Sequence, residues 1–323
     1  MRGEFCNFVT MKPICLNLEE CNGLGDLICA TPTIKKLYEA YGQRVVVLSK
    51  MPELFKLNPY VEKSYKASSV NMDYFKKLYI MHNSFYNAGK KNERGIENKY
   101  NRMDIRQFHA IHLGFMLKQD EMECYYRPTQ PLTIDNVPEK FILIHPVTTW
   151  ATRTWSAENW MLLTKRLNDM GVAVISTGKD SSETGFFNVD KPVFNFPIEN
   201  GLNLMNKSSI CDCWHLMNKA IAFVTMDSGL LHLAGTTDTF IIQLGSSIFP
   251  EFRAPYRKGG QQYKQVYVPG GCSLFCGSDM KYGVQEWGDI QGVQPLIRCL
   301  ENKPTFECHP SVDQVVDVIK KLL

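Results

Sequence analysis

The sequence is most informative first for what it lacks. No apolar run approaches the roughly 18 residues a membrane span requires, so the 323-residue chain reads as a soluble, cytoplasmic globular protein. No low-complexity tract interrupts it, and Met1–Thr10 has no apolar centre of the kind that directs secretion. Met11 is an alternative start, and whether residues 1–10 belong to the native chain is left open. The formal net charge of +3 is too small to point to a nucleic-acid or membrane partner. One stretch is locally basic (Lys90, Lys91, Arg94, Lys99, Arg102 and Arg106), but Glu93, Glu97 and Asp104 are interleaved with it. It reads as a solvated surface segment, or more sharply as an acceptor-facing loop for an anionic partner; nucleic acid is not favoured.

What is present is strand–helix alternation, twice over. Ile14–Leu18 is a short apolar run, followed by the turn Gly23-Leu24-Gly25-Asp26, a helical pattern from Pro32 to Tyr41, and the β-branched run Arg44–Leu48. That order is a βαβ unit, which implies a parallel sheet. A short strand at Leu78–Met81 and a helix from Asp104 to Leu117 complete the first half. Tyr126–Glu139 carries Pro128, Pro131 and Pro138 and reads as a linker with a short connecting strand. The alternation then restarts with a strand at Phe141–His145, a helix from Ala157 to Met170 capped by Ser156 and ended by Gly171, and a strand at Val172–Ser176. A helix at Cys211–Ala220, strands at Ala222–Met226 and Phe240–Leu244, and a terminal helix at Ser311–Leu323 follow. The expected fold is α/β: two Rossmann-like, doubly wound parallel-sheet lobes, residues 11–135 and 136–323, with a cleft between them.

Three loops at strand ends could carry chemistry. Gly23 and Gly25 allow a sharp turn and close approach of a ligand, and Asp26 is either a catalytic carboxylate or a helix-start carboxylate stabilised by the dipole. After the strand Phe141–His145, Thr148, Thr149 and Arg153 offer two hydroxyls and a guanidinium fork to a diphosphate; an ordinary polar loop around a packed Trp155 is the plain alternative. Asp227 at a strand end could accept ribose hydroxyls, and Ser228 and Gly229 place N–H groups at a helix start. His232, four residues after Ser228, is either a further donor or a satisfied core histidine.

Taken in order, these segments resemble glycosyltransferase family 9, the heptosyltransferases. The resemblance rests on Gly23-Leu24-Gly25-Asp26 with Thr31-Pro32, on the strand ending His145-Pro146 with hydroxyls, Arg153 and Trp155 after it, and on Asp227–Leu233 with Gly245 and Pro250 downstream. It implies the GT-B fold, with the acceptor on the first lobe and the nucleotide sugar on the second. It further implies inverting, metal-independent transfer from a nucleotide-diphosphate sugar to an acceptor hydroxyl of a surface glycan of lipopolysaccharide type or its precursor, without a catalytic cofactor; the alternatives are the same transfer to a protein side chain or a hydroxymethylated nucleic-acid base, and a nucleotide-sugar binder without catalysis. By position, Asp26 would be the general base, Thr148, Thr149, Arg153, Ser228, Gly229 and His232 would hold the diphosphate, and Asp227 the ribose. Arg153 stands where the family usually has Lys, and Val147 where Gly is common, so the resemblance does not name the sugar.

Eleven cysteines in a chain without a secretion signal imply reduced thiols. Cys6, Cys15, Cys21, Cys29, Cys124, Cys211 and Cys213 show no ligand-like grouping and read as small hydrophobes. Cys272, Cys276, Cys299 and Cys308 cluster near the C-terminus, where three readings stand: a structural zinc or iron site, free thiols, or two disulfides. The spacing is unlike the common CxxC pairs, and the loop lies far in sequence from the three cleft motifs.

Overall fold

The computed structural model describes residues 12–21, 23–81, 103–148, 151–179, 194–276, 299, 301, 303 and 306–323. Two parallel sheets organise them. In the first, β1 (Ile14–Asn17), β2 (Val45–Leu48), β3 (Val61–Tyr65) and β4 (Lys77–Ile80) lie in the order β3-β2-β1-β4. In the second, β5 (Phe141–His145), β6 (Ala173–Gly178), β7 (Gly201–Met205), β8 (Ala222–Thr225), β9 (Phe240–Leu244) and β10 (Gln265–Val268) lie in the order β10-β9-β8-β5-β6-β7. Every adjacent pair is parallel. Two Rossmann-like sheets and the helices between their strands are the architecture expected from the alternation. The central strands β1, β2, β5 and β8 are buried nearly throughout, which is why they read as continuous apolar runs without a period of two.

The helices also follow from local chemistry. After the glycine turn, α1 (Leu24–Cys29) and α2 (Thr31–Tyr41) are separated at Ala30. Pro32 cannot supply the amide that Ile28 would accept in an unbroken helix; the Thr31 hydroxyl donates to the Ile28 carbonyl instead, at 2.7 Å. The Thr-Pro pair is thus a helix joint, and α1 is an element that periodicity alone does not reveal. The third helix, α3 (Ile105–His112), stops well short of Leu117, because Gly114 takes a left-handed conformation (φ 84°) just beyond its end. The fourth, α4 (Ala157–Asp169), is capped by Ser156, whose hydroxyl accepts from the Asn159 amide, and closes at Gly171 (φ 78°). There follow α5 (Ile210–Lys219), α6 (Gly229–Ala234) and α7 (Val312–Lys320), the last packing against α4.

Two expectations need correction. The segment Tyr126–Glu139 contains no strand. Prolines 128 and 131 have no N–H for a ladder, and Asn136 is left-handed (φ 55°). The segment is instead fixed by side chains: the Thr133 amide and hydroxyl both donate to Asp212 of α5, at 2.8 and 3.0 Å. Arg106 is the second case. It is not a solvated surface cation but is buried, ion-paired to Asp104 and donating to the Ala254 carbonyl at 2.9 Å, which ties α3 to the second lobe. The rest of the basic stretch lies outside the described residues. Strands β3, β7 and β10 have no counterpart in the sequence reading. All three are lateral strands with partly exposed positions, so their apolar signal is weak.

The lobes meet where α1 lies against α6. A Cβ at Gly25 would stand 2.9 Å from the His232 ring and 3.3 Å from the Gly229 Cα, and one at Gly229 would stand 3.0 Å from the Leu24 Cβ. Neither glycine has a positive φ, so both are demanded by proximity and not by backbone conformation. One apolar core also crosses the junction, joining Leu27 and Ile28 of α1 to Leu230 and Leu231 of α6. Substituting Gly25→Ala must displace the His232 ring. We expect a loss of about 1–3 kcal/mol, typical of overpacking, seen as a lowered Tm in thermal unfolding, whereas Gly42→Ala, where a Cβ meets open space but φ is 65°, tests the conformational cost alone.

Candidate active site

The candidate site is built from both sides of this junction. Strands β5 and β8 pair directly, with His145 opposite Thr225, so the loops that leave their carboxyl ends emerge side by side. One loop carries Thr148 and Arg153, the other Asp227 and Ser228. Asp26 comes from the first turn of α1, across the interface.

Asp227 is buried, and its Oδ2 receives Arg153 Nη1 at 2.9 Å and lies 3.7 Å from Arg253 Nε. Burial opposes its ionisation, but the two guanidiniums outweigh that and hold its carboxyl below the usual range. The Asp26 carboxyl is 21% exposed. Burial pushes it up to about 6, against the pull of Arg253, Arg153 and the Gly23 backbone N–H, and with a further push from the charge on Asp227. Two carboxylates and two arginines therefore form one electrostatic unit. Within it Asp227 is firmly ionised, and Asp26 is poised to gain or lose a proton near neutrality.

Two histidines close the unit from either lobe. His109 of α3 is 1% exposed, its Nε2 stands 4.0 Å from Asp26 Oδ1, and neither ring nitrogen has a hydrogen-bond partner. Burial, with His112 next, drives its pKa down to about 3, so it is neutral. His232, packed on Gly25, is driven down to about 4, and its Nδ1 lacks a partner. His145, by contrast, is a satisfied core histidine, hydrogen-bonded through Nδ1 to the Thr177 carbonyl at 2.9 Å.

The structure thus brings together Gly23, Gly25, Asp26, Arg153, Asp227, Ser228, Gly229 and His232. The Ser228 hydroxyl accepts from the Leu231 amide at the start of α6 and shares a 3.2 Å contact with Thr225 Oγ1. Thr148 Oγ1 pairs with Thr154 Oγ1 at 2.5 Å within the loop that follows β5. Thr149 lies outside the described residues. Trp155 is core: it packs edge-to-face on Trp160 (5.0 Å, 85°) and donates to the Pro310 carbonyl. Sequence reasoning missed Arg253 and His109. Arg253 follows Pro250 by three residues in the turn after β9, where a cation near the family's Gly-Pro signature was a usable signal. His109 sits mid-helix among apolar residues and gave none.

Cys272, Cys276, Cys299 and Cys308 line one cavity of about 40 Å³, together with Phe275, Thr152 and Ser247. Burial and the three neighbouring thiols raise Cys308 to about 12. None of the four is joined in a disulfide, so the disulfide reading does not hold here. The donor set suits zinc or iron, yet among the described residues no three His, Cys, Asp or Glu groups stand close enough to hold an ion as they are. The cavity is also nearer the cleft than sequence distance suggested. Thr152 precedes Arg153, accepts a hydrogen bond from the Ser247 hydroxyl at 3.1 Å, and has its carbonyl 3.0 Å from His309 Nε2.

Known proteins agree with this frame. A bacterial iron-containing dodecameric glycosyltransferase, TibC from enterotoxigenic E. coli H10407, is 18% identical over 97% of this chain and 78% of its own, with a TM-score of 0.70; it has also been solved as a heptosyltransferase in complex with ADP-D-β-D-heptose. A glycosyl transferase family 9 protein from Veillonella parvula DSM 2008 aligns over 96% of this chain and 97% of its own, at 13% identity and a TM-score of 0.62. The E. coli ADP-heptose lps heptosyltransferase II aligns over 82% and 92%, at 15% identity and 0.59. At these identities the likeness concerns the fold, which is GT-B. No curated protein matches the sequence. No helix among the described residues is long and apolar enough to cross a membrane. The sequence model of glycosyltransferase family 9 (heptosyltransferase) matches residues 103–268, more than half of the 323-residue chain, and the protein belongs to that family of nucleotide-sugar glycosyltransferases.

Proposed function

We propose that the protein transfers a sugar, with inversion, from a nucleotide diphosphate to an acceptor hydroxyl on a surface glycan or its precursor, using Asp26 as general base and no metal in the transfer step. The observation that carries this reading is the placement of Asp26 across the lobe junction from Arg153, Arg253 and Asp227. Residues 11–135 then form the acceptor side and residues 136–323 the donor side.

As the sugar–phosphate bond lengthens, negative charge grows on the departing diphosphate. Arg153 stabilises it, with Thr148, Thr149, the N–H groups of Ser228 and Gly229, and His232 as further contacts. Fixed donors of this kind are worth about 2.7–4 kcal/mol each in comparable sites. Arg153 is held by Asp227, and a ribose accepted by the Asp227 carboxylate would share that oxygen pair and let the guanidinium turn toward phosphate. Two arginines already supply the positive charge that a divalent cation would otherwise bring. Asp26 takes the acceptor proton as the oxygen attacks from the opposite face, a contribution of about 10²–10⁴-fold. A carboxyl with a pKa of about 6 is ionised at neutral pH and still basic enough to accept that proton.

The four C-terminal cysteines form a structural zinc or iron site in this reading. The support is their shared cavity and its link through Thr152 to the Arg153 loop. A metal held there would supply a crosslink behind that loop, with no part in the transfer.

Three outcomes follow. First, Asp26→Asn lowers turnover by about 10²–10⁴-fold while leaving thermal stabilisation by the donor nucleotide unchanged. A panel of ADP-, UDP-, GDP- and CDP-sugars identifies that nucleotide, and saturation at 100 Kd adds about 2.7 kcal/mol. Retained turnover in the variant removes Asp26 as the base; no stabilisation by any nucleotide at millimolar concentration removes the donor site. Second, the folded pKa of Asp26 lies above its ordinary value, so the folded chain holds the proton more tightly than the unfolded one. Its stabilising contribution is present below about pH 4 and is lost as pH rises through about 6. Asp26→Asn is therefore expected to melt above the wild type at pH 7.5, with the gap closing toward pH 4. Third, elemental analysis of protein purified without chelator should find about one zinc or iron per chain, as a four-thiolate site takes, and Cys272→Ser with Cys308→Ser should abolish it. An equal metal content in wild type and variant rejects the site.

A further inference from the structure

We propose that His109 is a positioning residue for Asp26: its Nε2–H donates to the Asp26 carboxylate from α3 of the same lobe, fixing which way the base faces. The inference rests on the reading of Asp26 as the base and deepens it.

The argument begins with an anomaly of burial. A buried imidazole normally satisfies both nitrogens, since leaving a polar group unpaired costs roughly 1–3 kcal/mol. His145 in the same chain pairs its Nδ1 with the Thr177 carbonyl. His109 satisfies neither nitrogen although it is 1% exposed. The Asp26 carboxylate stands beside it, with 4.0 Å between Nε2 and Oδ1. Hydrogen bonding requires about 3 Å, so an approach of about 1 Å completes the pair.

The surroundings decide the form in which His109 acts. It is faced by His112 and Asp104 from α3 itself, by His232 from α6, by Arg253 from the turn after β9, and by Asp26 from α1. Burial, with His112 next and Arg253 adding to it, keeps the ring neutral, so it cannot act as a second acid at working pH. A neutral ring carries one N–H, and the carboxylate at the Nε2 side selects the Nε2–H tautomer. On the other oxygen, Asp26 Oδ2 lies against Gly23, whose backbone N–H also serves the carboxyl. The carboxylate is thereby held between two N–H donors, one from each end, with its remaining lone pairs turned to the acceptor side. A base fixed in this way loses no time in unproductive rotamers, and misplacement by about 1 Å in such sites costs on the order of 10²-fold.

Nitrogen-15 NMR of the histidine rings tests the proposal on the intact wild-type chain and needs no substrate. The His109 resonances, assigned by their loss in His109→Phe, should show a protonated Nε2 and an unprotonated Nδ1 from pH 5 to pH 8. They should also shift through an inflection near pH 6 that disappears in Asp26→Asn. An Nδ1–H tautomer, or resonances that do not respond to Asp26, overturns the pairing. If His109→Phe does not fold, assignment through the ring's nuclear Overhauser contacts to Phe108 in the wild type replaces it. The base reading stands or falls separately, on the turnover of Asp26→Asn.

Discussion

The close approach of α1 and α6 is the constraint on which the rest of the site depends. Two glycines, Gly25 and Gly229, let the helix starts touch, and everything that gives Asp26 its properties follows from that contact. Apart, Asp26 would be an ordinary solvated carboxylate at a helix start. Together, the lobes withdraw it from water and surround it with Arg153, Arg253 and Asp227. Burial wins over the two cations, because Asp227 already neutralises part of their charge through the Arg153 pair at 2.9 Å. The same balance runs the other way at Asp227, which lies against the guanidiniums and is held ionised. One arrangement of four charged groups thus produces two carboxyls of opposite protonation tendency, as acid–base sites require.

The loop that carries Arg153 is supported from behind by groups that do not touch Asp26 or Asp227 in the contacts described above. Trp155 anchors one end of the Arg153 loop to the Pro310 carbonyl, and Thr152 anchors its middle to Ser247 and His309. The cysteine cavity sits against this same loop. A chain that moves charge in its transition state benefits from such rigidity, since preorganised donors need not reorient as the bond breaks.

Much of this was legible in the sequence, for identifiable reasons. The strands β1, β2, β5, β8 and β9 are buried runs of β-branched and aliphatic residues, and the glycine and capping residues that end their helices act locally. The motif residues Asp26, Arg153, Asp227 and Ser228 lie at strand ends, where the two-lobe topology must bring them near one another. What the sequence hid depends on tertiary contact. Arg106 reads as a surface cation until Asp104 and the Ala254 carbonyl bury it. Arg253 and His109 matter only through their distance to Asp26 and Asp227, and the joint at Thr31-Pro32, read as a motif, turned out to separate two helices.

The account turns on Asp26 being a desolvated carboxyl shared between the lobes. Carbon-13 NMR of the wild-type chain labelled at aspartate, with Asp26 assigned through the Asn variant, measures this directly. A carboxyl that titrates near pH 6 agrees with the enclosed, arginine-flanked junction. One that titrates in the ordinary range near pH 4 would mean that solvent reaches it freely, that the lobes do not meet as described, and that the site assembled here does not exist.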